Sequence, residues 1–429
     1  MPPRVSHKLN SFQKTALAWD RLYPYNAAHA VRIAGAPDIP RLERSLHRCL
    51  EHYGLGAFRL DEKGRGFRFE KSGCVPALER LPRSGNVQED IRKHLETELN
   101  RRFPLDRAAS PFRFFLAEEE NGFYLCLVYF HVVADGSSIV YLLNDIVRDY
   151  DDHPAKGAGR IYPRVQHNPV FLLSRFFGWV GALRADIADV RRTRRILPKP
   201  ELPKRTGLLM GRLEANGTAL AEKSRTWGVT LNDVFLAALL QAVAPLQTAK
   251  NPAKRRRVAV SSIVSTRRDV GLNGGREFGL FLSSFRVSAA SPEKNTLREM
   301  AADVHRQTQR AKRDRLHQRN VFETTLALWL ERFCAPGPQR ERFYAKHYPL
   351  AAGLTNIDLR PLWGSDSPER PDYWRAVSTS AAVPMVFSVT TAGKNLNVSV
   401  GYSTHVYTEE EAHRALRYFL GLMREFASI

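Results

Sequence analysis

A chain of 429 residues that is 43% apolar and 25% charged can bury the cores of two or three domains, and its balance is that of an ordinary globular protein. The formal net charge of +21 attracts polyanions: nucleic acid, an anionic membrane, an acidic carrier protein or a phosphorylated cofactor. It reads equally as an arginine-rich composition that serves solubility. The four cysteines, Cys49, Cys74, Cys126 and Cys334, form no CxxC pair, and no Cys/His cluster has zinc spacing, so no metal is expected. Cys126 falls inside an apolar run and reads as a core thiol, which fits a reducing compartment. Residues 1–19 carry Lys8 and Lys14 without a continuous apolar run, so no secretory signal is expected. No stretch has the length of a membrane span. A cytoplasmic protein is the expectation.

Strand-like and helix-like segments alternate along the chain, which predicts a mixed α/β architecture. Ile39 to His52 has helical spacing through Leu42, Leu46 and Leu50, and Glu89 to Leu99 follows it as a second helix. Phe112 to Leu116 and Phe123 to Phe130 read as paired strands joined by the polar turn Glu118 to Gly122. The second of these is apolar on both faces and therefore central in its sheet. Ile139, Leu142, Leu143, Ile146, Val147 and Tyr150 then form one helical stripe, with Ser137 or Ser138 as its cap. Asp149 to Gly159 is a loop. Pro169 to Ile196 opens with a Phe/Trp-rich run, Phe171 to Val180, and ends in Arg191, Arg192, Arg194 and Arg195. The run reads as a packed helix, a lid or a membrane-surface helix. Pro198, Pro200 and Pro203 follow, and the domain linker is placed here. This gives an N-terminal domain over 1–170, a basic linker over 171–206 and a C-terminal domain over 207–429.

The second half has the same style. Leu231 to Val243 is a strongly apolar helix with Thr230 and Asp233 at capping spacing. Val258 to Val264 and Leu280 to Val287 read as strands, and Leu297 to Gln309 as a helix. Met385 to Thr391 and Leu396 to Tyr402 form a hairpin. Thr408 to Ser428 is a terminal helix opened by a capping box between Thr408 and Glu411.

The segment that carries chemistry is Tyr129-Phe130-His131-Val132-Val133-Ala134-Asp135-Gly136-Ser137-Ser138. It lies at a strand–loop–helix junction. Chance alone supplies roughly 0.04 HxxxDG matches in a chain of this composition and length. An isolated histidine is usually structural, but one just beyond a buried strand presents its ring to a cleft, and neutral imidazole is available as a base near pH 7. Asp135 either orients His131 or pairs with an arginine to hold the loop. Gly136 permits a tight backbone where a side chain would clash. The sequence has no nucleophile elbow, P-loop or GxGxxG run, so direct attack by a bound acceptor on a bound acyl donor is the simplest use of a lone base.

On these residues the chain resembles the CoA-dependent acyltransferase superfamily, which shares the HxxxDG site: condensation domains of nonribosomal peptide synthetases, polyketide-associated acyltransferases, alcohol acetyltransferases and wax ester synthases. Further segments resemble it in order: Phe103-Pro104-Leu105-Asp106 with Ser110-Pro111-Phe112-Arg113, Gly228 to Val234, Ser261 to Arg268, Phe278-Gly279-Leu280-Phe281 and Leu354-Thr355-Asn356. The resemblance implies two chloramphenicol-acetyltransferase-like α/β domains in a V, mixed sheets flanked by helices, with a crossover and an interface tunnel. It implies that His131 deprotonates a hydroxyl or amine that attacks a thioester, without an acyl-enzyme. Asp135 would be structural, bridged to Arg268 or Arg267, with Arg268 the favoured candidate. Asn356 would be a polar contact in the tunnel, and Phe278 and Gly279 would support the interface. The donor would be acyl-CoA or a phosphopantetheine-linked acyl group on an acidic carrier protein, no cofactor would be permanently bound, and a monomer in lipid or secondary-metabolite biosynthesis is expected.

Phe130 stands where many relatives have a first histidine, and Leu280 replaces a polar residue. Both favour the competing reading, a degenerate binding module for a carrier protein or partner. Charge-driven nucleic-acid binding rests on Arg255-Arg256-Arg257 and Arg191 to Arg195, but no nucleic-acid fold signature accompanies them. Peripheral contact with an anionic membrane would follow from the Phe171 to Val180 run if a substrate is a lipid.

Overall fold

The computed structural model describes residues 6–70, 76–153, 155–157, 160–163, 187–199, 201–247, 254–272, 276–316, 339–363 and 371–428. The Phe171 to Val180 run, with residues 171–186 and 200 of the linker, Cys74 and Cys334 lie outside them. The first half contains β1 (His7–Lys8), α1 (Ser11–Leu22), β2 (Asn26–Ala34), α2 (Ile39–His52), β3 (Ala57–Leu60), β4 (Gly66–Glu70) and β5 (Leu78–Arg80). It continues with α3 (Val87–Leu99), β6 (Phe112–Glu119), β7 (Gly122–Phe130) and α4 (Gly136–Tyr150). The second half contains β8 (Thr206–Glu214), α5 (Gly217–Thr226), α6 (Leu231–Val243), β9 (Arg257–Ser265), β10 (Leu282–Ala290), α7 (Leu297–Arg313) and α8 (Gln339–His347). It ends with β11 (Ala352–Asp358), α9 (Arg360–Trp363), β12 (Tyr373–Val377), β13 (Met385–Ala392), β14 (Asn395–Ser403) and α10 (Glu409–Ser428).

Two mixed sheets dominate. The first has the order β12-β2-β7-β6-β5 and the second β10-β9-β11-β13-β14-β8, with a small β1-β4-β3 sheet beside the first. β7, buried at every position, is the middle strand of the first sheet, as its two-sided apolar pattern requires. β11 lies parallel to both its neighbours, so its backbone is buried in the second sheet. α6 packs in the second core with all residues from Asp233 to Val243 buried, and its capping box joins Thr230 and Asp233. At α10 the Glu411 carboxylate accepts from Thr408 N and the Thr408 hydroxyl accepts from Glu411 N.

The two halves interlock. β12 leaves the second half and pairs antiparallel with β2 of the first sheet, placing Arg375 opposite His29. Behind that sheet, Ile91 and Leu95 of α3 pack with Leu208 of β8 and with Trp374 and Ala376 of β12 in one core. The helical stripe after the motif faces the core, with Val147 half-buried and the rest buried, but its cap differs. α4 begins at Gly136, and the Asp135 carboxylate, not Ser137 or Ser138, caps it by accepting from Ser138 N. Cys49 and Cys126 are free thiols buried in the cores. Among the described residues no single helix is long and apolar enough to cross a membrane.

Candidate active site

The end of β7 turns sharply at His131, whose N–H donates to Tyr25 O at 3.2 Å, while Val133 N–H donates back to Phe130 O at 3.0 Å. The His131 ring stacks on Tyr25 with centroids 5.2 Å apart and meets Tyr129 edge-on at 5.7 Å. Its Nδ1 lies 3.0 Å from Ala134 O. A carbonyl only accepts, so Nδ1 carries the proton in the neutral ring and Nε2 bears the lone pair. Nε2 has no hydrogen-bond partner among the described residues, and the ring lines a cavity of ≈190 Å³ between the halves. That is far more space than the roughly 10–15 Å³ a single water needs. Burial lowers the His131 pKa from 6.5, and Arg375 adds to this. The Ala134 carbonyl and the Asp135 charge oppose it without reversing it. The imidazole is therefore neutral at pH 7.

Phe130 points the other way, its ring 5.8 Å from Phe58 and 6.2 Å from Phe103. The residue before His131 thus fills the first core, and its aromatic identity leaves the cavity untouched.

Asp135 does not touch the histidine. Its carboxylate takes a bidentate pair from Arg267, Nη1 to Oδ2 at 2.7 Å and Nη2 to Oδ1 at 2.9 Å. It also accepts from Ser138 N, the Ser138 hydroxyl and Phe281 N, each at 3.0 Å. Those five bonds use its acceptor capacity. His131 is oriented instead by the Ala134 carbonyl and the Tyr25 stack. The favoured partner Arg268 is corrected to Arg267: the 3-10 turn after β9 leaves Arg268 exposed, while the Arg267 side chain is turned inward, 11% exposed, with its guanidinium over the Phe281 ring. Two adjacent arginines at a strand end cannot be told apart without the turn that follows them.

Gly279 completes the clasp. Its carbonyl accepts from Asp135 N at 3.0 Å, and its N–H donates to the Ser138 hydroxyl at 3.1 Å. Its φ of +154° belongs to glycine, and a Cβ there would stand 2.9 Å from Phe281 Cε2 and 3.2 Å from Tyr162 Cδ1. Gly279→Ala is therefore expected to lower stability by about 1–3 kcal/mol, read as an earlier urea midpoint with an unchanged slope. An unchanged midpoint removes this account of the glycine. Phe278 is buried and anchored on both sides, its N–H donating to Arg160 O and its carbonyl accepting from Tyr162 N, both at 2.8 Å.

The cavity wall from the second half includes Asn356, whose buried Oδ1 has no hydrogen-bond partner, and Ser261, whose Oγ is in the same state. Gly136 lines the same space. The site also recruits residues that motif reading did not single out. Asn10 and Gln13 form the α1 capping box, and they also donate to Leu280 O at 2.8 Å and to Val132 O at 2.9 Å, tying α1 to both loops of the site. The N-x-x-Q spacing was a readable signal. His29, held neutral by burial, and Arg375 come from β2 and β12, and nothing in their local sequence marks them. Burial pulls the Arg375 pKa to about 10, so it stays charged at neutral pH.

No group of three or more His, Cys, Asp or Glu among the described residues is arranged to hold a metal ion. Neither described cysteine reaches the cavity, and no serine is hydrogen-bonded to His131 Nε2 among the described residues. Two neutral imidazoles, His29 and His131, line the chamber, and the His131 loop is clamped from the opposite half.

Residues 8–162 match the condensation-domain family model. The chain has the condensation-domain fold. Across 99% of its length it superimposes on 96% of the trichothecene 15-O-acetyltransferase from Fusarium sporotrichioides, with a TM-score of 0.70 at 13% identity. Across 97% it superimposes on 98% of polyketide synthase associated protein 5 from Mycobacterium tuberculosis, with a TM-score of 0.58 at 16% identity. All of it superimposes on 94% of an X-domain from teicoplanin biosynthesis solved in complex with OxyB, with a TM-score of 0.55 at 18% identity. No curated protein sequence matches the chain. The condensation-domain fold, expected from ordered short motifs, extends well beyond the matched N-terminal segment.

Proposed function

We propose that the chain is an acyltransferase that moves an acyl group from a thioester donor to a hydroxyl or amine acceptor, with His131 as general base. The observation that carries this reading is the state of the imidazole: proton fixed on Nδ1 by Ala134 O, lone pair on Nε2, ring lining a cavity between two halves. Nε2 takes the acceptor's proton as its oxygen or nitrogen bonds to the thioester carbonyl carbon. The resulting oxyanion collapses, the carbon–sulfur bond breaks, and the thiolate leaves with the proton from the imidazolium. No acyl-enzyme forms. The net charge of +21 suits a phosphorylated donor, acyl-CoA or the phosphopantetheine arm of an acidic carrier protein. A cytoplasmic site of action, with peripheral contact at an anionic membrane for a lipid substrate, goes with this reading.

The test is release of free thiol from a panel of acyl-CoA and acyl-carrier donors with alcohol and amine acceptors, followed across pH. The active form is the neutral imidazole and burial lowers its pKa. Activity is therefore full at neutral pH, and kcat/KM falls only as pH drops through a value below 6.5. An acid limb centred above pH 7 overturns the assignment of the base.

A second reading is a binding module without turnover. It is favoured by the fold shared with an X-domain solved in complex with OxyB and by Leu280 in the interface loop. Under it, no donor of the panel releases thiol, and the chain captures an acyl carrier protein equally well with or without His131.

A further inference from the structure

We propose that the cavity receives a substrate bearing a carboxylate, which pairs with the Arg375 guanidinium. The proposal rests on the reading of this cavity as the reaction chamber and names a chemical class for one of its ligands. Arg375 is 4% exposed, and no acidic side chain pairs with it among the described residues. All its hydrogen bonds go to neutral oxygens: Nε to Thr390 Oγ1 at 3.0 Å, Nη2 to Thr355 O at 3.1 Å and to Val389 O at 2.7 Å. Nη1 has only a long contact with Thr355 Oγ1, at 3.4 Å, so one of the five donors at least is unspent.

The surroundings sharpen the point. Among the described residues lining the cavity, Arg375 is the sole Lys, Arg, Asp or Glu, and the lining also includes the apolar Phe12, Trp19 and Ile263. A charge buried without a counterion is costly, and a charge-assisted bidentate pair with a carboxylate is among the strongest contacts a ligand can make there. The approach is open because residue 136 is glycine. A Cβ at that position would stand 2.7 Å from Ile357 Cδ1 and 3.4 Å from Nη1, on the strand–helix junction that also carries His131. The bonds to Thr390, Thr355 and Val389 fix the guanidinium plane before any ligand arrives, so little ordering entropy is lost on binding.

The carboxylate belongs either to the acyl group or to the acceptor, and matched pairs separate the two. Calorimetric titration of the wild-type chain compares succinyl-CoA with butyryl-CoA, β-alanine with β-alaninamide, and lactate with lactamide. In at least one pair the charged member is expected to bind about tenfold more tightly. Arg375→Gln abolishes that preference while keeping the affinity for the neutral twin. Gly136→Ala, whose methyl needs only the tip of Ile357 to shift and stands 3.4 Å from Nη1, crowds the free side of the guanidinium and abolishes the preference too should Arg375→Gln not fold. Equal or weaker binding of the charged member in every pair overturns the proposal, as does a preference that survives both variants. Thiol release is scored separately. A charged-over-neutral preference without turnover defeats the acyltransferase reading alone, and turnover without the preference defeats this one alone.

Discussion

His131→Ala is expected to lower thiol release by about 10²–10⁴-fold, the range a positioned general base contributes, while the protein stays folded. The ring makes one hydrogen bond, to Ala134 O, worth on the order of 1 kcal/mol, and one stack, on Tyr25. Its loss therefore leaves the β7 core and the Asp135 clasp intact. The comparison is the initial rate of wild type and variant with the best donor of the panel, alongside their circular dichroism spectra. A folded variant with wild-type turnover removes His131 from the chemistry. The neighbouring Phe130 lies in the core beside Phe58 and Phe103. Phe130→His would place a polar ring there and is no route to a better base.

The second large effect is on stability. Arg267→Met leaves the Asp135 carboxylate, 1% exposed, without its cation, at a cost of about 3–5 kcal/mol. Asp135→Ala strands the guanidinium instead and also removes the α4 cap, which adds about 1 kcal/mol. Both variants should melt well below wild type and give less soluble protein. The double variant should lose less than the sum, because each partner's removal is destabilising chiefly through the charge it leaves behind. Strict additivity of the melting shifts would show that the pair is not coupled. The pH dependence has a definite sign. Burial alone raises the Asp135 pKa, but the Arg267 charge and the hydrogen bonds from Arg267, Ser138 and Phe281 outweigh it and hold the pKa below 3.8. The stabilisation is thus complete above pH 3.8 and is lost only as pH falls through the lower folded-state value. A midpoint that declines between pH 7 and pH 5 in wild type but not in Arg267→Met contradicts this.

Local rules carried the sequence far where the signal was local. β7 declared itself by an unbroken apolar run, the motif by its spacing, and the caps of α6 and α10 by Thr and an acid three residues apart. Ser138 shows where local rules mislead: read as the helix cap, it serves as the hydroxyl that joins Asp135 to Gly279. The choice between Arg267 and Arg268 turned on a single 3-10 turn. Arg375 was invisible for a different reason. It enters the site on a strand that pairs with β2, so that Tyr373 meets His29 across 344 residues of chain, and no window of sequence contains both. Such long-range pairings are facts of topology, set by which strand covers which sheet edge.

The clasp at Asp135 has a mechanical consequence. One carboxylate simultaneously starts α4, anchors the loop that holds the imidazole, and grips the guanidinium and backbone of the opposite half. Any swinging apart of the halves at this point would unwind the first turn of that helix and release the ring from its pose. The pose of the ring and the joint between the halves therefore stand or fall together.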